Sequence, residues 1–151
     1  MPQESNNTAS SMARALQEWF RACPLLQGGA RVGVDYLPDT PTEYAVYATP
    51  SSIRTRENVL GEEIPEDVQT QNFTFAAKEP FGADIHQNIL NQAFFEGIIE
   101  WVWEQNAAQS LPRVQNAHVR SVVPTLTAFI ADASGDVARY QISLKITYRR
   151  T

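Results

Sequence analysis

Val137-Ala138-Arg139-Tyr140-Gln141-Ile142-Ser143-Leu144-Lys145-Ile146-Thr147-Tyr148 decides the fold class of this chain. From Ala138 onward one set of alternate positions carries Ala138, Tyr140, Ile142, Leu144, Ile146 and Tyr148, and the other carries Arg139, Gln141, Ser143, Lys145 and Thr147. Successive side chains of a strand point to opposite faces, so this pattern builds a long antiparallel strand with one covered face. A second strand is expected over residues 119–131, where Leu126, Ala128 and Ile130 alternate with Thr125, Thr127 and Phe129. Asp132-Ala133-Ser134-Gly135-Asp136 then turns it into the terminal strand, making a hairpin. Pro124 lacks a ladder donor and places an edge or bulge near the start of that strand.

Working back from the hairpin, a long helix is expected over residues 84–106. Asp84 is the N-cap, and Leu90, Phe94, Phe95, Ile98, Trp101 and Val102 form a core-facing arc. Ile85, Ile89 and Trp103 fall on the far side among Gln92, Glu96 and Glu100. That second stripe is either covered by another part of the chain or marks a protein contact. Upstream, Phe73, Phe75 and Ala77 share one face of a strand over 68–77, closed by Pro80-Phe81-Gly82. Tyr44-Ala45-Val46-Tyr47-Ala48 forms another strand, and Val32 and Val34 a short one after the turn signal Gln27-Gly28-Gly29. Pro38 and Pro41 bracket a loop. Met12, Leu16, Trp19, Phe20 and Cys23 recur at helical spacing, with Ser10 or Ser11 as N-cap and Pro24 as the stop. Residues 51–67 are a charged excursion, rich in Arg54, Arg56, Glu57, Glu62, Glu63, Glu66 and Asp67, with a turn at Gly61. The expectation is a flexible leader over 1–11, then a single α+β domain over 12–151. Its architecture is a mixed, mainly antiparallel sheet with two main helices packed on it.

Composition narrows the function. At 151 residues with a net charge of −5, the chain lacks the clustered cationic excess that a dedicated nucleic-acid binder needs. One cysteine and two histidines, His86 and His118, are too few soft ligands for a structural zinc site, and the lone Cys23 fits a reducing compartment. No stretch approaches the roughly 20 apolar residues of a membrane-spanning helix, and residues 1–11 lack signal-peptide character, so cytoplasmic synthesis is expected. The sequons Asn6-Asn7-Thr8 and Asn72-Phe73-Thr74 then carry no information.

Possible chemistry is thin. Glu96, Glu100 and Glu104 share a helix face without the Glu-x-x-His partner of a carboxylate metal site, so a solvated face is the reading. Asp84, His86 and Glu100 do not converge as an acid–base set, because residues two apart on a helix do not face each other. Cys23 is a small apolar residue at the end of a helix, with Arg21 its only adjacent cation. Gly28-Gly29 lacks the Gly-Lys-Ser/Thr ending of a phosphate loop. The basic segments at Arg113 and Arg120 and at Arg149-Arg150 suit acidic patches of a partner subunit. No catalytic residue, cofactor or metal is expected.

Five segments together resemble a known family. They are Trp19-Phe20-Arg21-Ala22-Cys23-Pro24-Leu25-Leu26, Val34-Asp35-Tyr36-Leu37-Pro38, Asn72-Phe73-Thr74-Phe75-Ala76, Asp84-Ile85-His86-Gln87-Asn88-Ile89 with Phe94-Phe95, and Ala138-Arg139-Tyr140-Gln141-Ile142. In order and spacing these are similar to the minor capsid or tail-terminator proteins of tailed phages and prophages of Gram-positive bacteria. The resemblance implies a structural virion protein, assembled in the bacterial host cytoplasm, whose hexameric ring caps the tail tube and joins it to the head. Its implied partners are further copies of itself, the tail-tube protein and a head-completion protein, with no membrane and no specific nucleic acid. Some relatives carry a chloramphenicol-modification label, but the His-x-x-x-Asp arrangement is absent here: His86 is followed four residues later by Leu90, and His118 by Val122. Candidate contacts are Arg54, Arg56, Glu62 and Glu63 in the excursion and Ile85, Ile89 and Trp103 on the helix. The alternatives are a head-completion or connector protein, and a small-molecule-binding domain or enzyme with a pocket between the long helix and the sheet.

Overall fold

A computed structural model of the chain describes residues 11–26, 31–38 and 43–151. Residues 1–10 of the leader, the turn signal at Gln27-Gly28-Gly29 and Pro41 lie outside the described residues. The one-sided terminal strand, β7 (Val137–Arg150), runs through the sheet interior with Ala138, Tyr140, Ile142, Leu144 and Ile146 all buried. Tyr148, expected on the same covered face, is half-buried near the end of the strand. Its partners are β5 (Val68–Pro80) on one side and β6 (Ala117–Ser134) on the other, both antiparallel. β2 (Glu43–Thr49) pairs antiparallel with β5, and β1 (Val32–Val34) pairs parallel with β2. The sheet order is β1-β2-β5-β7-β6, mixed but mainly antiparallel, as the alternation predicted.

Both helices cover the same face. α1 (Met12–Arg21) is N-capped by Ser11, whose hydroxyl accepts from the Arg14 N–H at 3.2 Å. It buries Met12, Leu16, Trp19 and Phe20, and the Phe20 ring stacks on Phe75 of β5 at 4.4 Å. α2 (Ile85–Ala108) is the crossover from β5 to β6, N-capped by Asp84 as expected. Phe95 stacks on Tyr140 at 6.0 Å, and Trp101 meets Trp19 at 4.7 Å. Each fully buried ring or aliphatic side chain of this layer contributes about 1.5–3 kcal/mol.

The core-facing line of α2 differs from the expected arc. It keeps Phe95, Ile98, Trp101 and Val102 buried and Phe94 half-buried as expected, but adds the buried Asn91 and leaves Leu90 48% exposed. Leu90 lies on the Trp101 side of the helix, which Trp19 of α1 covers at Trp101 and not at Leu90. Asn91 is accommodated because its amide donates to the Pro80 carbonyl at 2.8 Å and to the Tyr140 hydroxyl at 3.3 Å.

The β6–β7 hairpin closes through a two-residue Gly135-Asp136 turn, tighter than the expected five-residue one, with Gly135 at φ +63. A positive φ at the first central position is what such turns require. β6 is the edge strand and carries register shifts at four places, one of them right after Pro124. No β6 residue from 125 on is buried. Leu126 and Ile130, expected to share a face with Ala128, are therefore 54% and 41% exposed, and only Ala128 is half-buried against the core. The register shifts break the alternation on which that expectation rested.

Candidate functional site

The charged excursion is a second, two-stranded sheet, β3 (Thr55–Glu57) paired antiparallel with β4 (Glu63–Pro65). It makes an arm with no buried apolar side chain of its own, held by side-chain amides. At its base Gln69, 5% exposed, bonds the backbone as another strand would. Its Oε1 accepts from the Arg54 N–H at 2.9 Å, and its Nε2 donates to the Arg54 and Glu66 carbonyls at 2.8 and 2.9 Å. An Arg54–Glu66 ion pair at 3.1 Å lies alongside. At the tip, Asn58 Oδ1 accepts from the N–H groups of Leu60 and Glu62, and Asn58 Nδ2 donates to Glu62 Oε1 at 3.0 Å. Gly61, at φ +82, supplies the turn expected there.

This scaffolding projects Val59 and Leu60 into solvent, 101% and 78% exposed. Below them Glu57, Glu62 and Glu63 are exposed, and Thr55 donates to Glu63 at 2.6 Å. The four candidate contacts Arg54, Arg56, Glu62 and Glu63 thus sit together on one arm. Three of them are already engaged within it, Arg54 by Glu66, Glu62 by Asn58 and Glu63 by Thr55. The apolar tip is the feature that charge counting overlooked.

On α2, Ile85, Ile89 and Trp103 are 73%, 59% and 47% exposed, so the excursion does not cover the stripe. Ile85 and Ile89 line an open groove of about 360 Å³ with Asn88, Gln92, Ala93 and Glu96. Asn88 donates to the Gly82 carbonyl at 2.8 Å, and its buried Oδ1 has no hydrogen-bond partner. Trp103 is not part of that groove. Glu96, Glu100 and Glu104 lie exposed along the helix, and His86 is exposed too.

A second cleft, about 410 Å³, follows the C-terminus of α2. Gln109 ends the helix at φ +57, and the Ser110 carbonyl accepts from the Trp19 indole at 2.8 Å, which anchors the segment on α1. The chain then turns through Asn116, at φ +63, where Val114 and Ala117 form an isolated bridge. Leu111, Pro112, Val114 and Val119 line the floor, and Arg113 and His118 stand at the rim. His118 lies opposite Arg149 and Ala117 opposite Arg150 across the β6–β7 ladder. With Arg120 also exposed, the basic segments noted in the sequence converge on this one end of the sheet.

Titratable groups with altered affinity lie away from these surfaces. Burial raises the Glu79 carboxyl to about 7 at the end of β5, and burial also raises the Cys23 thiol. Among the described residues no group of three or more His, Cys, Asp or Glu side chains could hold a metal ion. No helix among them is long and apolar enough to cross a membrane. Neither the family models nor the curated proteins compared with this chain include a match to it.

Proposed function

We propose that this chain is a structural subunit of a tailed-phage particle, a tail terminator whose closed ring caps the tail tube and meets the head-completion protein. The observation that carries the reading is how exposed apolar residues are distributed over the frame. Val59 and Leu60 stand at the tip of a braced arm, Ile85 and Ile89 on the outer side of α2, and Leu126, Phe129 and Ile130 on the edge strand β6. Exposed apolar patches mark protein contacts, and patches in separate places suit a subunit that touches neighbours on several sides. The five segments similar to tail-terminator proteins supply the biological setting. A ring subunit needs rigid contact faces that its neighbours can meet.

The decisive experiment is electron microscopy of particles made without this protein. Loss of a terminator leaves tails that overrun their normal length. Normal-length tails without heads would assign the chain to the connector instead. Unaltered particles would refute a virion role.

A further inference from the structure

We propose that the β3–β4 arm of one copy docks in the α2–β6 cleft of the next copy, which is formed by the segment linking α2 to β6 and the start of β6. The inference deepens the ring reading and rests on it, since it names the two surfaces that would join neighbouring subunits.

The arm is built to present something. Its turn is fixed by Asn58 and its base by Gln69, so Val59 and Leu60 are held outward without the entropy loss a floppy loop would incur on binding. Two aliphatic side chains at the end of a rigid, otherwise polar hairpin form an anchor in search of an apolar floor. The α2–β6 cleft offers one in Leu111, Pro112, Val114 and Val119.

Charge selects this cleft over the Ile85–Ile89 groove. Across residues 54–67 two cations face five carboxylates, and Glu57, Glu62 and Glu63 are exposed beside the tip. The α2–β6 cleft is rimmed by Arg113 and His118 with Arg120, Arg149 and Arg150 nearby, and residues 109–123 contain no acid. The Ile85–Ile89 groove carries Glu96 and would repel the arm. The fit argues for a second copy as the occupant, because the acidic arm and the basic cleft belong to one sequence. The tip is exposed, so it does not fill the cleft of its own chain. The contact joins two different surfaces of the chain, and within the proposed ring it repeats head-to-tail around the axis so that every arm finds a cleft.

The test is light scattering of the full chain, wild type against Val59→Asp/Leu60→Asp, with circular dichroism as a check on folding. Both positions lie in solvent, so the fold should tolerate the change. Self-association should weaken on the order of 30-fold or more per anchor residue. Glu62→Lys/Glu63→Lys should also dissociate the assembly, and adding Arg113→Glu/Arg120→Glu in the same chain should restore it. A wild-type multimer whose mass none of these variants alters would overturn the arm assignment and leave the ring standing. A wild type that stays monomeric at every concentration would overturn the ring and the arm together.

Discussion

Asn106 offers the sharpest test of how the frame under these surfaces is held. It sits in the last turn of α2, and its side-chain amide reaches the edge strand β6 at Val122. Oδ1 accepts from the Val122 N–H at 2.9 Å, while Nδ2 donates to the Val122 carbonyl and to the carbonyl of Val102. Among the described residues no further strand lies on the outer edge of β6, so the amide takes the place one would fill. Val122 is fully buried. Asn106→Ala would strip partners from two of its backbone groups, at about 1–3 kcal/mol each. The gain in helix propensity returns only about 0.7 kcal/mol. The net expectation is a loss of about 1–5 kcal/mol, or roughly 2–20 °C in Tm for a chain of this length. Asn106→Asp should cost more at neutral pH, because it keeps the acceptor for the Val122 N–H but turns a carboxylate toward two carbonyl oxygens. Urea titration followed by circular dichroism reads both. A loss below about 0.5 kcal/mol for Asn106→Ala, the range of ordinary surface changes, would refute the bracing role.

Three further outcomes follow from individual sites. Gly33→Ala should destabilise the chain by about 1–3 kcal/mol in the same titration, because a Cβ there would lie 2.6 Å from the Tyr36 carbonyl oxygen; a neutral substitution would contradict that close approach. With its carboxyl raised from 4.5 to about 7, folded Glu79 keeps a proton that the unfolded chain releases, so its contribution is fully present below pH 4.5 and is lost as pH rises through about 7. Glu79→Gln should remove that decline and be more stable than wild type at pH 8 by on the order of 1–3 kcal/mol; parallel pH–stability profiles would show the site to be well solvated. Cys23, 4% exposed with its thiol raised by burial, should react with an aromatic disulfide reagent only as the protein unfolds, and prompt stoichiometric labelling of the native chain would contradict its burial.

Much of the fold was legible because periodicity reports burial directly. The alternation of β7, the Met12-Leu16-Trp19-Phe20 stripe of α1 and the caps at Ser11 and Asp84 all sit where the sequence placed them. What was not legible belongs to side chains whose burial is made acceptable by a distant partner. Asn91, Asn106 and Gln69 are polar and carry no hydrophobic signal, yet each stands in for missing backbone partners at a junction between elements. Leu90 and the outer half of β6 failed in the opposite sense. Their apolar character suggested cover that neither α1 nor the irregular edge strand provides. At the candidate surfaces the excursion and its Gly61 turn were visible as charge and glycine, while the solvent-facing Val59-Leu60 tip was not. The cleft at Arg113 and His118 needed the third dimension, because it joins the end of a helix to a strand ladder with β7.

Whether copies of this chain close on one another is most directly read by combining the solution mass of the purified full-length protein with negative-stain images of the same sample. A single multimer of fixed stoichiometry, seen end-on as a ring with an open centre, is the expected result. A monodisperse monomer that persists at high concentration would contradict it.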